Sequence, residues 1–195
     1  MGEDPDALIA SARALRLAGE AEAALALLDR AEELGLGEQG ARRAAAALER
    51  GWAHNARERW DEAHSAFAAA VAAAPDDLLA RTWHGRALYN LARDDEAEAE
   101  LRGVLERDPE RWMAWSFLGD LCALSGRDAE AIAAFSEVIR LQPDAGYAFY
   151  RRGMLHDRAG DLEAARADGE AAARLHFEPD DEDLEDDEAE QAGDP

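Results

Sequence analysis

The chain contains no lysine and a single cysteine, Cys122, in 195 residues. One cysteine cannot close an internal disulfide or supply the thiolates of a structural zinc cluster. The 21 basic residues are all arginine and face 44 acids, for a formal net charge of −23. Such a chain is poorly matched to nucleic acid, whose phosphates need Lys and Arg to displace their counterions. It is equally poorly matched to an anionic membrane surface. No apolar run approaches the roughly 18 residues of a membrane span. The acidic opening MGEDPDALIA lacks the basic-then-apolar pattern of a signal peptide. Asp6 stands where N-myristoylation prefers Ser or Thr. These absences lead to the expectation of a cytoplasmic protein.

Catalytic signatures are missing as well. The sequence has no GxSxG, no phosphate-binding glycine loop and no HExxH. The five histidines, His54, His64, His84, His156 and His176, never pair at the i, i+4 spacing of a helical metal site. His54, His156 and Cys122 read as packing residues instead. No enzyme, no metal and no cofactor is expected.

What is present is a period. Gly51, Gly85, Gly119 and Gly153 recur every 34 residues, and Ala63, Ala97, Ala131 and Ala165 each follow twelve residues later. Pro75, Pro109 and Pro143 follow the first three alanines by twelve more. Glycine inside a helix costs roughly 1 kcal/mol relative to alanine, so its regular return implies a compensating contact. In residues 112–143, Trp115, Leu118, Gly119 and Cys122 fall at i, i+3, i+4 and i+7, one buried helical face. Ser125 to Asp128 breaks that pattern, with Gly126 suited to a left-handed cap and Asp128 to a helix start. Ala131, Phe135 and Val138 form a second stripe, and Pro143 ends it. Two antiparallel helices approach to about 8–10 Å, and Gly119 and Ala131 are expected to meet where they cross. The period predicts stacked helical hairpins, an architecture that usually binds other chains.

These residues resemble the tetratricopeptide repeat, a 34-residue unit with Trp, Leu, Gly and Tyr in its first helix, then Ala, Phe, Ala and Pro. Trp115, Leu118, Gly119, Ala131, Phe135 and Pro143 match, while Cys122 replaces Tyr and Val138 replaces Ala. The resemblance implies an all-α, right-handed solenoid of about five helix pairs over residues 5–177. Its units lie near 5–38, 44–77, 78–111, 112–145 and 146–179, with Gln39 to Arg43 inserted before the second. The end units are weaker matches, as terminal repeats with one solvated face should be.

The resemblance also implies a concave groove lined by a second stripe on each first helix. Carried onto this chain, it names Arg13, Arg16, Trp52, Asn55, Thr82, Arg86, Tyr89 and Asn90. Further along it names Met113, Ser116, Asp120, Tyr147, Tyr150, Met154 and Asp157. Trp, Tyr and Arg are the residue types enriched at binding hot spots, so the expected function is a non-catalytic interaction scaffold holding a partner peptide or helix. The Lys–Asn carboxylate clamp of some family members is not reproduced, because Leu48 and Trp52 stand at its first pair of places. Two alternatives are a small acidic secretion or assembly chaperone and an oligomeric subunit joined through its terminal repeats. From Glu178 onward eleven acids and no base follow, and a disordered tail over 180–195 is expected. It could solubilise the chain, or fold back onto the groove arginines.

Overall fold

The computed structural model describes residues 3–37 and 40–178. Within them lie ten α-helices and no strand. They are α1 (Pro5–Leu17), α2 (Ala21–Leu34), α3 (Gly40–Asn55), α4 (Trp60–Ala73), α5 (Leu78–Asn90), α6 (Asp94–Arg107), α7 (Trp112–Leu124), α8 (Asp128–Leu141), α9 (Gly146–Arg158) and α10 (Leu162–Arg174). The chain divides into two compact units, Met1–Pro109 and Glu110–Pro195. The acidic tail expected over 180–195 lies outside the described residues.

Local sequence explains where the helices start and stop. Asp4 caps α1, its carboxylate accepting from the Asp6 amide, and Pro5 occupies the first turn, where its missing N–H costs nothing. Asp77 caps α5 through the Leu79 and Ala80 amides, and Asp161 caps α10 through the Ala164 amide. Helices α4, α6 and α8 end two residues before Pro75, Pro109 and Pro143. Gly40 to Arg43, most of the expected insertion, is helical and gives α3 an additional first turn.

Each hairpin closes in the same way. The amides of Glu20, Arg59, Arg93, Arg127 and Asp161 donate to the carbonyls of Leu15, His54, Leu88, Cys122 and His156, at 2.8 to 3.1 Å. This is the six-to-one bond of a Schellman turn, which requires a left-handed residue just before the donor. Glycine fills that position at Gly19, Gly126 and Gly160, but Glu58 and Ala92 adopt it at φ 54° and 53°.

In the first unit, α3 supplies Leu48 to a core built with Ala63, Phe67, Ala70, Ala80 and Ala87. A neighbouring cluster joins Ile9, Ala12, Ala24, Leu28, Ala31 and Ala46 from α1, α2 and α3. The periodic glycines are buried, as anticipated, but their partner is not the alanine alone. A methyl group on Gly51 would lie 2.6 Å from Phe67 Cδ1, and one on Gly85 would lie 2.9 Å from Leu101 Cγ. The glycine therefore makes room for the large side chain one turn beyond the alanine.

The second unit repeats the device once and then changes it. A methyl on Gly119 would stand 3.0 Å from the Phe135 ring, which is fully buried with Val138 beside Ala131. In the last pair Gly169 replaces the aromatic, and the buried residue is Asp168 instead. Arg152 closes a two-pronged pair on it at 2.7 and 2.8 Å. Beyond α10, Phe177 returns onto α9, its Cβ 2.6 Å from where a side chain on Gly146 would begin and its ring 5.5 Å from that of Tyr150.

Candidate functional site

The first helices of the first unit, α1, α3 and α5, bring several of the sequence-predicted residues together. Trp52 of α3 is half-buried, edge-on to Trp83 at 6.0 Å and to Phe67 at 6.4 Å. Phe67 and Trp83 stack at 5.9 Å. Trp52 therefore both packs the repeat and shows part of its ring, and its cluster includes Trp83, which the stripe did not name. The Arg16 guanidinium lies over the Trp52 ring, 4.9 Å from its centroid, a favourable cation–π arrangement. On α5, Arg86 lies 4.8 Å over Tyr89. Asn55 and Asn90, the last residues of their helices, are half-buried.

Arg13 and Arg16 converge on a residue that sequence reading missed. Glu49 of α3 is only 1% exposed, and its two carboxylate oxygens accept from Nε of Arg13 and Nε of Arg16, the second at 2.8 Å. A carboxylate so buried requires such partners. The available signal was an arginine pair at i, i+3 in α1 and one acid in the alanine-rich stretch that opens α3.

Thr82 corrects the expected lining. It is fully buried, and its hydroxyl donates to the Leu78 carbonyl at 2.6 Å, so it presents nothing to a partner. The stripe also fails at Ser116 in the second unit, which is 5% exposed. Of its remaining residues there Asp157 is exposed and the others are half-buried: Asp120 faces Arg151 at 3.5 Å, Tyr150 lies against Phe177, and Met154 is on α9. Burial pushes the Tyr147 hydroxyl up from its ordinary value, with Ser116 beside it opposing the shift.

Titratable side chains also come together around α4, α5 and α6 of the first unit. The His64 and His84 rings stack at 5.2 Å, and Arg93 stands 3.1 Å from His64 Nε2. Burial, then the neighbouring His84 and Arg93 charges, lowers His64. Burial likewise lowers His54. The His84 ring and the Arg81 guanidinium beside Glu100 hold its carboxyl down to about 2. No cluster of His, Cys, Asp and Glu able to hold a metal occurs among the described residues. No helix among them is long and apolar enough to cross a membrane.

Antiparallel helix pairs of 34-residue period, with glycine opposite a bulky side chain and one repeated turn, define a helical-repeat protein. The family model of the tetratricopeptide repeat matches residues 48–103, 82–145 and 129–179. The chain belongs to the tetratricopeptide-repeat family. It is 37% identical over 109 residues to the protein FlbA of Caulobacter vibrioides, a match over 56% of this chain but only 18% of that relative. Among solved structures, MamA (residues 41 to end) of Desulfovibrio magneticus RS-1 matches with a TM-score of 0.71 at 18% identity. That match covers 90% of this chain and 97% of the other. YrrB, described as a TPR protein with an unusual peptide-binding site, matches with a TM-score of 0.63 at 26% identity. It covers 93% of this chain and 90% of YrrB. Repeats of this class serve as scaffolds for protein–protein interaction.

Proposed function

We propose that the chain binds an extended or helical segment of a partner protein on the faces of its first helices. In the first unit the contact residues are Trp52, Asn55, Arg86, Tyr89 and Asn90, flanked by Arg13 and Arg16. The supporting observation is the company these side chains keep on the α1, α3 and α5 stripe. Half-buried Trp52 and Tyr89 each carry an arginine on the ring, and Asn55 and Asn90 stand at the helix ends. Rigid amphipathic rings beside guanidinium groups are the side chains that dominate binding energy at interfaces. The peptide-binding site announced for YrrB, which shares this fold, supports the same use.

In the second unit Asp120, Tyr147, Tyr150 and Met154 form the corresponding face. Phe177 covers part of Tyr150, so the first unit is the stronger contact surface.

The test is affinity capture with the full chain beside an Asn55→Ala, Arg86→Ala, Asn90→Ala triple variant. These changes leave the Trp52–Phe67–Trp83 cluster in place, so the variant should keep its helical circular dichroism. A partner held by the wild type and lost by the folded triple variant supports the reading. A partner held equally by both refutes it.

A further inference from the structure

Several arginines among the described residues each fork onto a single carboxylate through Nε and an Nη nitrogen. They include Arg42 on Asp6, Arg81 on Glu100, Arg93 on Glu96, Arg152 on Asp168 and Arg158 on Asp128. In that geometry the carboxylate occupies the edge of the guanidinium that recognises anions best.

Glu49 is arranged differently. Its carboxylate is split between two arginines and takes only the Nε–H of each. The Nη groups of Arg13 and Arg16 make no hydrogen bond among the described residues, so the Nη1/Nη2 end of each guanidinium is left open. Two cations share one anion, which leaves this spot with a local charge of about +1 in a chain of net charge −23. The anchor is rigid because Glu49 is buried, and the Trp52 ring further restrains Arg16. Arg13 remains 57% exposed. Guanidinium groups fixed before binding lose less conformational freedom when a ligand arrives.

We propose that Arg13 and Arg16, splayed by Glu49, are a receptor for the carboxylates of an acidic, extended segment of a partner protein. The two Nη groups at the end of each guanidinium suit a carboxylate in bidentate geometry. The strong negative charge of the rest of the chain disfavours a polyanion such as nucleic acid. The ligand is therefore a segment with one or two acids set among apolar residues, which can lie along Trp52. This deepens the proposed function and rests on α1 and α3 belonging to the partner face.

The experiment uses the full chain and fluorescence anisotropy. The probe is a fluorescein-labelled short peptide with adjacent Asp and Glu in an Ala, Leu and Ser background, beside its Asn–Gln isostere. At 50 mM salt the acidic peptide should bind about tenfold or more tightly than the isostere, and less tightly at 300 mM. Arg13→Gln should weaken it about tenfold. Arg30→Gln makes the same charge change at an exposed arginine of α2 paired with Glu3 and Glu33, and should leave it unchanged. If Arg13→Gln fails to fold, Arg13→Lys keeps a cation against Glu49. It should retain the wild-type melting temperature yet bind the peptide several-fold more weakly, since lysine has no fork. Equal losses in Arg13→Gln and Arg30→Gln, or no preference for acid over isostere, would overturn the receptor. Binding abolished by the Asn55, Arg86, Asn90 triple variant but untouched by Arg13→Gln would overturn it too, while leaving the partner face intact.

Discussion

Replacing Gly51 by alanine separates the packing role of the periodic glycines from their intrinsic helix penalty. On propensity alone, Gly→Ala inside a helix stabilises by roughly 1 kcal/mol. At Gly51 the added methyl would sit 2.6 Å from Cδ1 and 2.8 Å from Cζ of Phe67. Carbon atoms at optimal separation stand about 3.5–4.0 Å apart, so the ring would have to move by roughly an ångström. It is fully buried, with Trp52 edge-on at 6.4 Å and Trp83 stacked at 5.9 Å, which leaves it little room. Overpacking of this kind costs about 1–3 kcal/mol, for a net destabilisation of about 0–2 kcal/mol. Gly103 in α6 is the internal reference, because its methyl would meet only the Arg81 Nη2 atom at an ordinary 3.6 Å. Gly103→Ala should therefore gain about 1 kcal/mol, making the two substitutions differ by about 1–3 kcal/mol. With about 2–4 °C per kcal/mol for a chain of this size, thermal melts followed by far-ultraviolet circular dichroism resolve the difference. Phe67→Leu in the Gly51→Ala background should recover part of the loss, a coupling that a double-mutant cycle measures. An increase in melting temperature for Gly51→Ala equal to that for Gly103→Ala would refute the reasoning.

Further outcomes follow from the turns, from the Glu100 ion pair and from the half-buried histidines. Ala92→Gly, at φ 53° in the repeated turn, should raise stability by about 0.5–1 kcal/mol. Gly126→Ala should lower it by a similar amount through the backbone alone, since nothing lies within 4 Å of the new methyl; urea melts check both. The Glu100 carboxyl is held at about 2 against an ordinary 4.5, so its contribution is complete above pH 4.5 and is lost as pH falls toward 2. Glu100→Gln should accordingly flatten the stability profile between about pH 5 and 2. Lowered His54 and His64 add a decline beginning near 6.5, because the unfolded chain takes up their protons first.

The helical-hairpin period was legible because glycine, alanine and proline carry backbone information that survives one residue at a time. The identity of the side chain facing each glycine was not. Phe67, Leu101 and Phe135 stand at a spacing from their glycines as constant as that of the alanines, one turn further on, so periodicity cannot choose between the two places. The left-handed turn position was visible at Gly126 but hidden at Glu58 and Ala92, where the closing hydrogen bond imposes a conformation that the residue itself disfavours. Thr82 was assigned to a stripe by its place in the unit, yet its hydroxyl satisfies the Leu78 carbonyl inside the fold. Glu49 escaped notice because its two partners lie 33 and 36 residues away, beyond any local pattern.

The central claim, that first-helix faces hold the partner, is tested most directly by site-specific photocross-linking in the full chain. Asn55→p-benzoylphenylalanine and Asn90→p-benzoylphenylalanine place the reactive group on α3 and α5, while Ala69→p-benzoylphenylalanine places it on an exposed position of α4. The account predicts one shared partner cross-linked from Asn55 and Asn90 and absent from Ala69. Capture of that partner from Ala69 alone, or equally from all three positions, would contradict it.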